Sequence, residues 1–154
     1  MKYEASMELV AITRYGAPAK PIGELPPVGY EVRMRYAELY ETGAFVPPWI
    51  GYFAVSDALC VGTCGFKTPP VDHRVEIAYF TFPEHEGRGI ATQMAKALIA
   101  LARAADPTLV VAAQTLPEEN ASAAILRRLG FAMVGIAHDD EAGPVWEWQK
   151  LGEG

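Results

Sequence analysis

The chain has 154 residues, a formal net charge of −6 and an apolar fraction of 51%. This length and apolar content predict one globular domain over residues 1–154. The negative charge argues against a general binder of nucleic acid or anionic membranes, and no apolar run reaches the length of a membrane span. The N-terminal residues do not have the pattern of a signal peptide, so the expected location is the cytoplasm.

Short apolar runs alternate along the chain with segments of helical periodicity. In chain order, the predicted elements are a strand at 8–13, a helix at 30–41, strands at 49–55, 59–66 and 75–82, a helix at 90–104, a strand at 109–115, a helix at 121–129, and strands at 131–137 and 145–150. The proline- and glycine-rich segment 16–29 is expected to be a surface loop. An early hairpin, a β-α-β unit and a terminal hairpin predict a mixed sheet with helices packed on it.

Two further predictions concern the core of the first half. Helical spacing is expected to place four residues on one face of the first helix: Val32, Tyr36, Leu39 and Tyr40. Cys60 and Cys64 are four residues apart on a predicted strand, where their side chains would point the same way but lie too far apart for a disulfide. We therefore expect two buried thiols that act as small apolar groups, and their spacing does not favour a metal site.

The segment 86–91, which reads Glu-Gly-Arg-Gly-Ile-Ala, joins the strand at 75–82 to the long helix that follows. Its two glycines allow a sharp turn and a close approach of the backbone to a ligand. The first N–H groups of the helix have no intrahelical partners and lie at the positive end of its dipole, so they favour an anion such as phosphate. An ordinary strand-to-helix turn is the alternative interpretation.

The sequence PEHEGRGIAT at 83–92 resembles the acetyl-CoA-binding motif of the GCN5-related N-acetyltransferase (GNAT) family. Gly89 and Ala91 match that motif, whereas Glu86 stands where the family has Gln or Arg. The sequence LPEENASAAILRRLGF at 116–131 resembles the second conserved block of the family, with Asn120 ten residues before Gly130 instead of the usual eleven. The closing strands resemble those of a subgroup close to the ribosomal-protein N-terminal acetyltransferases.

The resemblance implies an α/β (α+β) protein with the GNAT fold, a mixed sheet of six to seven strands flanked by helices. It implies transfer of an acetyl group from acetyl-CoA, as co-substrate, to a primary amine of a small molecule or peptide by direct attack, without a metal. The residues that the resemblance assigns to the coenzyme are Tyr79, Phe80, Thr81, Gly87, Arg88, Gly89, Ile90, Ala91, Thr92 and Asn120. The backbone at 79–81 would contact the pantetheine, the amides at 87–92 the pyrophosphate, and Asn120 the pantetheine arm.

The general base and the general acid are less well defined. Glu76 is a lone carboxylate in an apolar strand, and burial would raise its pKa toward the working range of a general base. Three alternatives remain open: a water chain as the base, a Glu76 side chain on the solvated face of the sheet, and a structural contact of Glu76 with a neighbouring strand residue such as Lys67. Many members of the family carry a Tyr on the second helix as the acid, but the corresponding residues 125–128 include none.

Three other expectations remain. His85, Arg127 and Arg128 could touch the coenzyme, although solvent exposure is the simpler interpretation for each. A homodimer is expected on general frequency alone, with acetyl-CoA and an amine as the other partners. Because the acid is missing and Glu86 departs from the motif, a catalytically weak acyl-CoA-binding sensor or partner subunit on the same fold is the alternative function.

Overall fold

The structure, a computed structural model, describes residues 7–152, which form seven strands and three helices. In chain order these are β1 (Met7–Ala11), α1 (Pro27–Thr42), β2 (Gly51–Ser56), β3 (Leu59–Phe66), β4 (Arg74–Thr81), α2 (Ile90–Ala105), β5 (Val110–Thr115), α3 (Ala121–Arg128), β6 (Ala132–Asp139) and β7 (Gly143–Lys150). A short 3-10 turn, Pro83–His85, connects β4 to the glycine loop. The predicted GNAT fold, a mixed sheet of six to seven strands flanked by helices, is confirmed with seven strands.

The strands lie in one sheet in the order β1-β2-β3-β4-β5-β7-β6. Only the β4–β5 pair is parallel among the described strands, as a β-α-β crossover through α2 requires. Its pairing is short, since it joins Arg74–Glu76 to Val110–Ala112 and goes no further. β4 runs on to Thr81 and β5 to Thr115, so the two strands diverge in the middle of the sheet.

Both α2 and α3 pack on one face of the sheet. Met94 and Leu98 of α2 and Leu126 of α3 are fully buried in one cluster with Trp148 of β7. The indole Nε1 of Trp148 donates to the Thr115 hydroxyl at 3.0 Å, so its buried donor is satisfied. This core fixes the N-terminal ends of both helices beside the divergence of β4 and β5. No helix among residues 7–152 is long and apolar enough to cross a membrane.

The segment predicted as a surface loop at 16–29 is only partly one. Ile22 and Leu25 are buried in a second apolar cluster with Phe53 and Phe82, and α1 begins at Pro27 rather than at residue 30. Proline suits the first turn of a helix because its missing N–H would have no partner there, so Pro27 starts α1 instead of preceding it. Leu39 is 48% exposed and does not share the buried face of Tyr40.

The two cysteines are buried and free, as predicted, but they point to opposite faces of the sheet. The reason is a bulge, because Ala54 pairs with Gly62 while Val55 pairs with Cys60, which leaves Val61 as an extra residue in β3. An extra residue reverses the side-chain alternation beyond it. Cys64 accordingly packs in the cluster under α2 and Cys60 in the cluster around Phe53. The prediction that both point the same way was wrong.

Candidate functional site

A groove of about 590 Å³ begins where β4 leaves β5. Tyr79, Phe80 and Thr81 form one wall, on the edge of β4 that faces away from β3. β5 does not pair with this stretch, so that edge has no strand partner among the described residues. An extended ligand can therefore add to the sheet here through backbone hydrogen bonds, as the sequence predicts for the pantetheine arm.

The glycine loop forms the end of the groove. Gly87 has φ +79° and Gly89 φ +75°, in the left-handed region that favours glycine, and a Cβ at either position would meet nothing within 4 Å. Gly89 is the N-cap of α2 and supplies no side chain to the cap. The N–H groups of Ile90, Ala91 and Thr92, which line the groove, are therefore left without helical partners. Open space and free donors fit an anionic pyrophosphate.

The other wall is α3, which the sequence-based assignment largely missed. Ala121, Ser122, Ile125 and Arg128 line the groove at helical spacing. Arg128 thus lies beside the groove, whereas Arg127 pairs with Glu119 and lies 5.0 Å from the centre of the Trp148 ring. The signal was available, because residues 121, 125 and 128 recur at the spacing of one helix face.

Most of the predicted coenzyme residues border this groove: Tyr79, Phe80, Thr81, Gly87, Gly89, Ile90, Ala91 and Thr92. Arg88 and Asn120 do not. Asn120 is the N-cap of α3, and its Oδ1 accepts from the Ala123 N–H at 2.9 Å. This cap explains an Asn before the helix without any ligand, so the predicted contact of Asn120 with the pantetheine arm stays a prediction. His85 and Glu86 border the groove as well.

A second, smaller cavity of about 120 Å³ lies in the opening between the two strands. Its lining is formed by Lys67, Glu76, Ile77, Ala78, Tyr79, Ala113, Gln114 and Ser122. Glu76 is the last residue of β4 that pairs with β5, so its position marks the point where the strands part. The cavity therefore places a carboxylate next to the end of the long groove.

The Glu76 side chain is 11% exposed and lies between two cations. Lys67 Nζ is 2.5 Å from Oε2, and Arg74 donates to Oε1 at 3.4 Å. Oε2 is buried and receives no hydrogen bond of suitable geometry, so the charge of the Lys67 ammonium is what compensates this oxygen. The sequence-based alternative of a contact with Lys67 is therefore observed, and the carboxylate also borders the cavity.

Tyr79 of β4 is partly buried, and Ser122 of α3 lies near its side chain. Burial raises the pKa of the Tyr79 phenol, and interaction with the Ser122 hydroxyl opposes this rise by a smaller amount. The phenol therefore remains protonated across the neutral range. Tyr79 borders both the groove and the cavity, and its protonated phenol can donate a hydrogen bond.

A third concavity, of about 550 Å³, lies between α1 and the segment 14–15. It is lined by Arg14, Tyr15, Met34, Ala37, Glu38, Tyr40 and Glu41. None of these residues belongs to the glycine loop, to β4 or to α3. Its acidic lining does not suit phosphates, so the groove along β4 is the better site for an anionic ligand.

In this mixed sheet, the two parallel central strands diverge beside a helix that begins after a glycine loop. This arrangement defines the class of acyl-CoA-dependent N-acyltransferases. A family model described as an acetyltransferase (GNAT) domain matches residues 11–132, which is most of the chain. The chain belongs to the GNAT family of acetyl-CoA-dependent N-acetyltransferases. A search of curated protein sequences finds no match.

Solved structures with a similar fold include ribosomal-protein acetyltransferases. The apo form of RimL, a ribosomal L7/L12 alpha-N-protein acetyltransferase, is 15% identical, with a TM-score of 0.70 and coverage of 98% of this chain and 96% of RimL. RimL in complex with coenzyme A is 18% identical, with a TM-score of 0.68 and coverage of 96% and 95%. The ribosomal-protein-S5-alanine acetyltransferase of Vibrio fischeri is 19% identical, with a TM-score of 0.66 and coverage of 99% and 96%. These likenesses match the subgroup that the closing strands resemble.

Proposed function

We propose that this protein transfers the acetyl group of acetyl-CoA to a primary amine of a small molecule or peptide by direct attack of the amine on the thioester. One observation carries the proposal. The groove that fits a long anionic coenzyme opens at one end into a small cavity that contains a carboxylate. The donor and the acceptor can therefore meet at the point where β4 and β5 part.

The donor would be held mainly by backbone groups. The free edge of β4 at 79–81 would take the pantetheine arm, and the N–H groups at 87–92 would take the pyrophosphate. Arg128 adds a positive side chain on the opposite wall. Backbone donors do not depend on the identity of residue 86, so Glu86 is compatible with this mode of binding.

Glu76 is the residue that we propose as general base. It borders the cavity that the amine would enter, and its carboxylate can accept a proton from the amine or from a water between them. Because Lys67 and Arg74 already hold the side chain in place, its position would not change when an acceptor binds.

Direct attack is favoured over an acetyl-cysteine intermediate. Burial raises the pKa of the Cys60 thiol to about 11 and raises that of Cys64 further. A nucleophilic cysteine needs an accessible thiolate, and neither side chain lines the groove or the cavity.

The acceptors of two structural neighbours support a choice of acceptor class, since one is an alpha-N-protein acetyltransferase of ribosomal L7/L12 and the other is a ribosomal-protein-S5-alanine acetyltransferase. We therefore place peptides with a free N-terminus first in an acceptor panel, before polyamines and amino sugars. Release of coenzyme A thiol would be followed for each acceptor, and the same peptides with a blocked N-terminus serve as matched controls. Turnover with free amines alone supports the proposal. Tight binding of acetyl-CoA without turnover on any amine would contradict it and favour the acyl-CoA-binding sensor.

A further inference from the structure

Two residues border both the long groove and the small cavity. Among the described residues, only Tyr79 and Ser122 line both spaces. A group that contacts the donor and the acceptor at the same time must lie at this junction. If acetyl-CoA occupies the groove and the amine occupies the cavity, the thioester lies against these two residues, both of which carry a hydroxyl group.

The two hydroxyls differ in acidity. Burial raises the pKa of the Tyr79 phenol above its ordinary value, but an alkyl hydroxyl remains a far weaker acid than a phenol. The thiolate that leaves in acetyl transfer is a stronger base than water, so a hydrogen-bond donor aimed at the sulfur stabilises it as the C–S bond breaks. Tyr79 is therefore the better proton donor, and Ser122 lies beside it at the border of the same two spaces.

We propose that Tyr79, on strand β4, is the general acid that protonates the coenzyme thiolate, an inference that rests on the proposed function. It fills the role for which the sequence of α3 offers no tyrosine. The proton donor is therefore on β4, the strand that forms one wall of the groove, rather than on α3, the helix that forms the other wall.

The step balances without any further reactant. The amine nitrogen forms a bond to the thioester carbon, the C–S bond breaks, and its electron pair goes to sulfur. Sulfur takes the Tyr79 proton while the nitrogen gives one proton to Glu76. Glu76 and Tyr79 border the same cavity, so the proton on the carboxylate can return to the phenolate through water there. The products are an amide and the free coenzyme thiol, and both residues regain their starting states.

The first test uses Tyr79→Phe, which keeps the ring and removes the hydroxyl, with an amine that the wild type accepts. We expect kcat to fall about 100-fold, with the Kd of acetyl-CoA unchanged within about twofold. Ser122→Ala retains the phenol, and its kcat should fall much less. An unchanged kcat in Tyr79→Phe, or a larger loss in Ser122→Ala, would overturn the proposal. The midpoint of thermal unfolding of each variant shows whether it has folded.

The second test needs no acceptor. Coenzyme A carrying ¹³C at the carbon next to sulfur is bound to the protein, and the thiol pKa is read from the chemical shift. Loss of the Tyr79 hydrogen bond should raise the pKa of the bound thiol by about one unit, a tenfold change. The other ionisable groups that border the two spaces remain in both proteins and cancel in the comparison: Lys67, Glu76, His85, Glu86 and Arg128.

The outcomes separate this inference from the proposed function. A higher thiol pKa in Tyr79→Phe supports the assignment, even before an acceptor is known. Binding of coenzyme A with equal thiol pKa values in both proteins would overturn the role of Tyr79 and leave the proposed function standing. No binding to the wild type would overturn both.

Discussion

Lys67 and Glu76, which both line the small cavity, make two contacts with each other. The Lys67 N–H donates to the Glu76 carbonyl at 3.0 Å, and the Lys67 ammonium is 2.5 Å from Glu76 Oε2. The first bond continues the β3–β4 ladder by one residue, and the second fixes the carboxylate where β4 leaves β5. The charge pair therefore connects the sheet to the site, and the Glu76 side chain keeps its place without a ligand.

Replacement of Glu76 by Gln tests the proposed base. If the carboxylate removes a proton from the amine, kcat should fall about 100-fold, while the Kd of acetyl-CoA stays the same because the groove is unchanged. The deficit should shrink at high pH, where more of the amine is already deprotonated. Steady-state kinetics across the pH range measure both effects.

Glu147→Gln is the matched control for this experiment. Glu147 belongs to the same charged cluster, through a contact of 2.6 Å with Arg74, but does not line the cavity. Its kcat should stay within about threefold of the wild type. Equal losses in the two variants would mean that Glu76 supports the structure instead of acting as a base.

Replacement of Arg128 by Gln tests the α3 wall of the groove. Removal of a charge-assisted contact to a phosphate should weaken acetyl-CoA binding by about tenfold, or about 1.4 kcal/mol. Arg127→Gln is the neighbouring control, because Arg127 pairs with Glu119 outside the groove. Calorimetric titration gives both Kd values, and a loss in Arg127→Gln alone would show that the coenzyme approaches from the other side of α3.

Glu86→Gln tests the departure from the family motif. Glu86 is exposed and borders the groove, so its negative charge should oppose an anionic ligand. The neutral variant should bind acetyl-CoA about threefold more tightly, and the gain should shrink as salt is added. Glu84→Gln removes a charge from the same loop but outside the groove lining, and its effect should be smaller. Weaker binding by Glu86→Gln would indicate that the carboxylate contacts the ligand directly.

Gly89→Ala tests the left-handed turn before α2. With φ at +75° and open space around the position, an added Cβ should cost about 1 kcal/mol of backbone strain and narrow the approach to the helix N–H groups. Gly135→Ala is the control, since Gly135 has equal space around it and no positive φ. Denaturant unfolding and acetyl-CoA titration should both be affected in Gly89→Ala alone. Wild-type behaviour of this variant would mean that the turn needs no glycine.

The order and type of the elements could be predicted from the sequence because local signals agree along the chain. The strand at 75–82, the glycine loop and the helix from Ile90 were located within a residue or two. The bulge at Val61 could not be predicted from the sequence, because it depends on how β2 and β3 pair and leaves no local sequence pattern. The predicted orientation of the two cysteines failed for this reason.

Only part of the lining of the coenzyme groove could be predicted from the sequence. Its β4 and loop walls follow from residues that are continuous in sequence, whereas the α3 wall depends on how that helix packs across the sheet. Arg127 and Arg128 are adjacent and chemically identical, and only the packing of α3 on Trp148 decides which of them reaches the groove. Tyr79 and Ser122, which border both spaces, are 43 positions apart in the sequence and are brought together only by the tertiary structure.

Thermal unfolding with and without acetyl-CoA tests the central claim most directly. A ligand at about 100 times its Kd stabilises the native state by about 2.7 kcal/mol, which corresponds to a rise in Tm on the order of 5 °C. We expect that rise in the wild type and a smaller one in Gly89→Ala at the same coenzyme concentration. An unchanged Tm at millimolar acetyl-CoA would contradict the coenzyme groove, and the proposed acetyl transfer with it.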